Sequence, residues 1–187
     1  TLIQPTQLSS TFTSNNIVCN GENDGDIDIT PLGGTIPYTF AWDNGDTTED
    51  LTNLSNGLYI VTITDTNNCI LIDSITLTEP DSLSSSSTQT NVSCYGGNNG
   101  SATVTFSGGA TGAAPLDTNY ILGWGTFIYI VEFPYDTFTT PIGVPADIYP
   151  YTVTDMNGCI IFDTITITQP DSLYTAYTLT NFNGYNV

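Results

Sequence analysis

The chain contains no lysine, no arginine and no histidine, so its nineteen aspartates and glutamates stand uncompensated and the formal net charge is −19. A chain without cationic side chains cannot neutralise phosphates, which excludes nucleic acid as a partner. It has no imidazole base, no Schiff-base amine and no histidine metal ligand, leaving an enzyme only carboxylate or hydroxyl chemistry. Nothing singles out a carboxylate pair suited to glycoside hydrolysis, and the expectation is a protein that is not an enzyme. Long apolar runs are also missing. No stretch reaches transmembrane length, and no basic segment followed by an apolar run marks a signal peptide, so no membrane insertion is expected in this segment.

What remains is rich in Thr, Ser, Asn, Gly, Ile and Tyr, the residues of strands and turns. Only 10% of residues are charged while 39% are hydrophobic, too apolar for an acidic disordered tail. The expectation is almost entirely β structure.

The octapeptide "TLTEPDSL" at 76–83 returns as "TITQPDSL" at 166–173, with a worn copy, "TLIQPTQL", at 1–8. Each of Leu8 and Leu83 is followed eleven residues later by a cysteine, Cys19 and Cys94, and "CNGENDGDIDITPLGG" then aligns with "CYGGNNGSATVTFSGG" without a gap. "YTFAW" (38–42) answers "YILGW" (120–124), and "YIVTITDTNNCILIDSITLTEPDSL" (59–83) answers "YPYTVTDMNGCIIFDTITITQPDSL" (149–173). The chain therefore divides into the end of a preceding repeat (1–8), a first repeat (9–83), a second repeat with aromatic insertions (84–173) and the start of a following repeat (174–187), and reads as a window onto a longer polypeptide. "DIDIT", "YIVTITD" and "ILIDSITLT" alternate apolar with polar, the signature of half-buried strands, and Gly- or Asn-rich turns separate them. Six or seven short strands per unit predict tandem immunoglobulin-like β-sandwich repeats in an extended, all-β array. Tyr38, Phe40 and Trp42 share one strand face and are read as core, with Trp42 and Trp124 as equivalent anchors.

Each unit contributes two cysteines, and four cysteines allow three pairings. A bridge between neighbours would join Cys69 to Cys94, but by the same rule Cys159 would need a partner at position 184, which is Gly. Bridges within each unit, Cys19 with Cys69 and Cys94 with Cys159, need no such partner and are the pairing expected, with free buried thiols as the alternative. Against them, the first cysteine lies near the first turn of the sandwich and the second near its last, which a standard sandwich places at opposite ends. A disulfide implies an oxidising, extracytoplasmic location.

A cysteine, an Asn/Gly-rich turn, "GG" and "PY" before a Trp strand, then "L..G.Y.V.ITD.N.C" and a closing "TI..P" together resemble the SprB-type repeat of very large cell-surface proteins in gliding and other Bacteroidetes. The residues carrying the likeness include Cys19, Gly33, Gly34, Tyr38, Trp42, Tyr59, Asp65, Cys69 and Pro80, and in the second unit Cys94, Gly108, Gly109, Trp124, Tyr149, Asp155, Cys159 and Pro170. The second unit departs from the pattern: it lacks "PY", and Pro150 stands where the first has Ile60, so its strand should be weakened or lie at an edge there. The resemblance implies type IX secretion to the cell surface and a role in adhesion or gliding within a long filament; it transfers no binding site.

Several candidate sites follow from the residues. Asp24, Asp26 and Asp28 in "NDGDID" have the alternation of a calcium loop, although the second unit reads "NNGSAT" there, so calcium is the one cofactor to test. Asp65 and Asp155 recur at the mouth of a turn, where an Asp side chain caps the turn. Asp followed by Ser or Thr and then by an apolar residue or Thr, at Thr47, Ser74, Ser82, Thr164 and Ser172, resembles the acceptor of a periplasmic O-glycosylation system in the same bacteria. Phe127, Tyr129, Phe133, Tyr135 and Phe138, in the second unit's insertions, form either an extra hairpin or an aromatic binding surface. The function expected is a structural and adhesive segment of a secreted, extracellular filament protein, its partners neighbouring repeats and a surface polysaccharide or other extracellular surface. The alternatives are a carbohydrate-binding module of a secreted hydrolase, with Trp124 or the inserted aromatics stacking on sugar, and a passive spacer or surface-layer unit.

Overall fold

The alternating segments form strands in the computed structural model, which describes residues 5–110, 119–125, 127–132, 137–140 and 143–177. The first unit contains β1 (Ser9–Asn15), β2 (Gly25–Leu32), β3 (Thr39–Trp42), β4 (Leu51–Leu54), β5 (Gly57–Thr64) and β6 (Ile70–Leu77). The second contains β7 (Asp81–Thr90), β8 (Ser101–Gly109), β9 (Asn119–Trp124), β10 (Phe127–Glu132), β11 (Thr137–Thr139), β12 (Asp147–Thr154) and β13 (Ile160–Ile167). Sheets β1-β2-β4 and β3-β5-β6 build the first sandwich, and β7-β8-β11 and β10-β9-β12-β13 the second. Every pairing is antiparallel. The described residues form two tandem immunoglobulin-like sandwiches, their strand order that of the A-B-E and C-F-G sheets.

Period two decides which side chains enter each core. In β5, Tyr59, Val61 and Ile63 point inward while Leu58 and Ile60 are exposed, and in β12 Tyr151 and Val153 do the same against Ile148. The first core gathers Leu8, Ile27, Ile29, Trp42, Leu51, Val61, Ile63 and Leu77; the second gathers Val92, Val104, Phe106, Leu122, Trp124, Tyr151, Val153 and Ile165. Each fully buried aliphatic side chain contributes about 1.5–3 kcal/mol. Trp42 is buried, with Tyr38 and Phe40 half-buried against the same core. Trp124 is buried too, stacked on Tyr149 at 5.5 Å between ring centroids.

Two features repeat in both units. Tyr59 donates its hydroxyl hydrogen to the Ser55 carbonyl (2.9 Å) and Tyr149 to that of Pro145 (3.0 Å), a tyrosine corner at the start of the penultimate strand. The "GG" pair has a separate steric reason at each position. Gly33 and Gly108 have φ of 72° and 78°, and a side chain there would collide with the backbone carbonyls of Gln7 and Ser82 on the incoming chain. Their successors, Gly34 and Gly109, lie against the carboxylates of Asp65 and Asp155.

The second unit's insertion adds an edge strand: β10 pairs with β9 from Phe127–Trp124 to Glu132–Asn119. Pro150 does not break β12. It pairs with Thr164 of β13, and the pairing of β12 with β9 begins only at Tyr151, so Pro150 sits where the strand has no neighbour on that side.

Candidate functional site at the joint between the units

Each sandwich has an incoming pole, where the chain arrives, and an outgoing pole, where it leaves. At the outgoing pole of the first unit the loop after β1 is pinned to the end of β6. Thr78 donates its N–H to Asn16 Oδ1 (2.9 Å) and Ile17 N–H returns to the Thr78 carbonyl (3.0 Å). Gly21 N–H donates to Glu79 Oε2 (2.8 Å) and Asn20 Nδ2 to the Pro80 carbonyl (3.0 Å). These bonds place Cys19 beside the departing chain. The second unit repeats three of them, with Thr168 N–H on Asn91 Oδ1 (2.9 Å), Val92 N–H on the Thr168 carbonyl (2.9 Å) and Gly96 N–H on Gln169 Oε1 (2.7 Å), and so places Cys94.

The other two cysteines occupy the incoming poles. Asp65 is buried at the β5–β6 turn, where Oδ1 accepts the N–H groups of Asn67 and Cys69 (both 2.8 Å) and Oδ2 that of Thr35 (2.9 Å). Asp155 does the same at the β12–β13 turn for Asn157 (3.0 Å), Cys159 (2.9 Å) and Ala110 (2.7 Å). The Cys69 N–H is the main reason that the Asp65 carboxyl is held below its ordinary value, against the opposing effect of burial. In return the Asp65 charge pushes the Cys69 thiol up.

This placement corrects the expected pairing. Within one unit the two cysteines sit at opposite poles, so neither Cys19 with Cys69 nor Cys94 with Cys159 is bonded. The bridge instead crosses the joint from Cys19 to Cys159, with Cα atoms 5.7 Å apart, while Cys69 and Cys94 are exposed thiols rather than buried ones. Asn157 reinforces the joint by donating from Nδ2 to the Val18 carbonyl (2.7 Å). A shallow, polar cleft of about 540 Å³ beside it is lined by Asn16, Thr78, Glu79, Asp81, Ala110 and Asn157 among others. Spacing along the chain does not reveal a pairing that joins the outgoing cysteine of one unit to the incoming cysteine of the next. A signal for it existed: an Asn two residues before the second cysteine recurs as Asn67 and Asn157.

The remaining candidates do not converge on a site. Asp24 Oδ1 accepts the Val18 N–H (3.1 Å), and in the second unit Asn99 Oδ1 takes the equivalent Ser93 N–H (3.0 Å). An amide serves that role as well as a carboxylate, which explains the exchange between units. Asp26 accepts from Asn15 Nδ2 (2.9 Å), and Asp28 lies exposed on the outward face of β2. Among the described residues no group of three or more His, Cys, Asp or Glu side chains comes together as a metal site. Thr47, Ser74, Ser82, Thr164 and Ser172 are all exposed but scattered. Of the inserted aromatics, Phe127 and Tyr129 belong to β10, Phe133 and Tyr135 lie outside the described residues, and Phe138 in β11 is half-buried against the core, 6.2 Å from Trp124.

The SprB repeat family matches residues 11–47 and 86–115, the corresponding opening stretches of the two units. Over those two stretches the units are similar to SprB-type repeats. Comparison with curated proteins gives no match. Among solved structures, three N-terminal domains of the bacteriophage RB49 Highly Immunogenic Outer Capsid protein (Hoc) align at 18% identity and a TM-score of 0.46, over 86% of this chain and 59% of that one. Domains 4 and 5 of the S-layer protein SbsC align at 13% identity and a TM-score of 0.30, over 89% of this chain and all of that one. The chain thus spans less than two thirds of the Hoc fragment. The SprB-type match points to a repeat segment of a cell-surface protein.

Proposed function

We propose that the chain is a structural and adhesive segment of a large secreted filament protein, in which SprB-type units joined pole to pole extend an array from the cell surface. The observation that carries this reading is the joint. A covalent bond from Cys19 to Cys159 and the Asn157 contact restrain two successive sandwiches, an arrangement suited to bearing load along a chain. The charge of −19 supports it, because like charge keeps such an array soluble and opposes folding back of one unit on another. Burial of Trp124 removes the indole face that a carbohydrate-binding module would use at that residue.

The test is adhesion under flow. Beads coated with the 187-residue chain are passed over glass and over polysaccharide-coated glass beside uncoated beads. Retention well above the uncoated control on either surface supports an adhesive segment. Equal retention would assign the chain the role of a passive spacer.

A further inference from the structure

The four cysteines fall into two classes by position, and each class has one member bonded and one exposed. Cys19 and Cys94 occupy outgoing poles, Cys69 and Cys159 incoming poles. The bond that exists joins an outgoing cysteine to the incoming cysteine of the next unit. The two exposed thiols are those whose counterparts, by the same rule, belong to units on either side. We propose that Cys94 bonds the incoming-pole cysteine of a following SprB-type unit and Cys69 the outgoing-pole cysteine of a preceding one, so that disulfides stitch the array from unit to unit. The proposal goes beyond the adhesive reading and does not depend on it: it requires that units follow one another, not that they bind a surface.

The observed joint acts as the template. At its outgoing side Cys19 is presented by a loop whose five backbone anchors have counterparts around Cys94: Val92 for Ile17, Ser93 for Val18, Gly96 for Gly21, Gly97 for Glu22 and Thr168 for Thr78. At its incoming side the Asp155 turn that presents Asn157 and Cys159 is matched by the Asp65 turn that presents Asn67 and Cys69. The Asn157 side chain reaches the carbonyl before the outgoing cysteine. Asn67 occupies the same place and is exposed, its Nδ2 donating to Thr35 Oγ1 (2.8 Å) with a second N–H to spare, and Ser93 carries the carbonyl that a following unit's asparagine would meet. A contact in which one pole meets the opposite pole of the next unit is heterologous and does not close, so it propagates along a filament.

The chemistry balances with an external disulfide oxidant. One thiolate attacks the oxidant to form a mixed disulfide, and the second thiolate attacks that bond. The protein gains one S–S bond and loses two protons and two electrons, while the oxidant is released as two thiols. The Asp65 charge pushes the Cys69 thiol up, which lowers its thiolate fraction and slows its reaction with small disulfides.

The isolated chain carries both halves of the missing joint, so the experiment needs no other protein. Cys69→Ser keeps only the outgoing thiol and Cys94→Ser only the incoming one; both substitutions are at exposed positions. The two variants are incubated separately and mixed in a glutathione redox buffer, and products are resolved by non-reducing electrophoresis. The linked residues are identified by mass spectrometry after cleavage at Asp and Glu. The expected result is a mixed dimer in about tenfold excess over either homodimer, linked from Cys94 to Cys69 and lost on reduction. Adding Asn67→Ala to the Cys94→Ser chain should lower the mixed-dimer yield about threefold by removing the docking contact. Homodimers as abundant as the mixed dimer would mean that these are unselective surface thiols, and would overturn the proposal. So would the absence of any mixed dimer while the Cys19–Cys159 bridge is intact, or a yield indifferent to Asn67→Ala.

Discussion

Removing the bridge across the joint should weaken both sandwiches although neither core is touched. Consider Cys19→Ser. With the first unit folded, the loop that carries Cys19 is held to the Pro80 carbonyl, so unfolding the second unit in the bridged chain leaves a closed loop running from there to Cys159. That loop is roughly 80 residues long, and the chain-entropy relation assigns it about 4.5 kcal/mol. Unfolding the first unit with the second folded closes a loop of roughly 60 residues and gives nearly the same figure, about 4.3 kcal/mol. Freedom that the joint regains in the unbridged native state subtracts from both, leaving about 3 kcal/mol per unit. For units of this size that is a fall in urea midpoint of about 2–3 M. The two tryptophans allow each unit to be followed by fluorescence, since Trp42 lies in the first core and Trp124 in the second. Urea titrations of the parent chain and of Cys19→Ser, each with and without reductant, make the measurement. Reductant should lower the parent to the level of Cys19→Ser and leave the variant unmoved. Coincident midpoints for all four samples would refute the reasoning, as would alkylation of Cys19 and Cys159, rather than Cys69 and Cys94, in the unfolded, unreduced parent.

Three further outcomes are expected. Asp155→Ala leaves the N–H groups of Ala110, Asn157 and Cys159 without their acceptor, and should cost the second unit about 2–4 kcal/mol by urea titration, with Asp155→Asn intermediate; an unchanged midpoint would contradict the capping role. Leu122→Ala, at a side chain with 0% exposure, should cost about 3 kcal/mol, whereas Leu58→Ala on the outer sheet face should stay within about 0.5 kcal/mol; similar losses at both would mean that the inward and outward faces are misassigned. Asp65 has a folded-state pKa below its ordinary 3.8, so in acid the unfolded chain binds the proton first. Its contribution is present above 3.8 and disappears as pH falls through the lower folded value. The stability gap between the parent and Asp65→Asn should therefore narrow across that acid range, and a gap independent of pH would show that the carboxylate is not preferentially held in its charged form.

The sequence by itself determined the class of fold. Alternation in "YIVTITD" and "ILIDSITLT" assigns each side chain to a face without knowledge of the partner strand, because the pleat has period two. The recurrence of Trp42 at Trp124, and of the Asp turn at Asp65 and Asp155, was legible for a similar reason: core anchors and turn caps act within a few residues of their own position. The reason for "GG" was less accessible, since the collision it avoids is with the Gln7 and Ser82 carbonyls on a segment distant in sequence.

Only the tertiary structure decided the cysteines. Counting residues treats Cys19 and Cys69 as partners within one unit, but the loop clamped to Thr78 and Glu79 carries Cys19 to one pole while the Asp65 turn holds Cys69 at the other. Which pole of one sandwich meets the next depends on where the chain leaves and arrives in space, and a disulfide requires Cα atoms a few ångströms apart. Spacing along the chain supplies neither quantity. The repeat was written in the sequence, and the way its units are fastened together followed from the geometry of their ends.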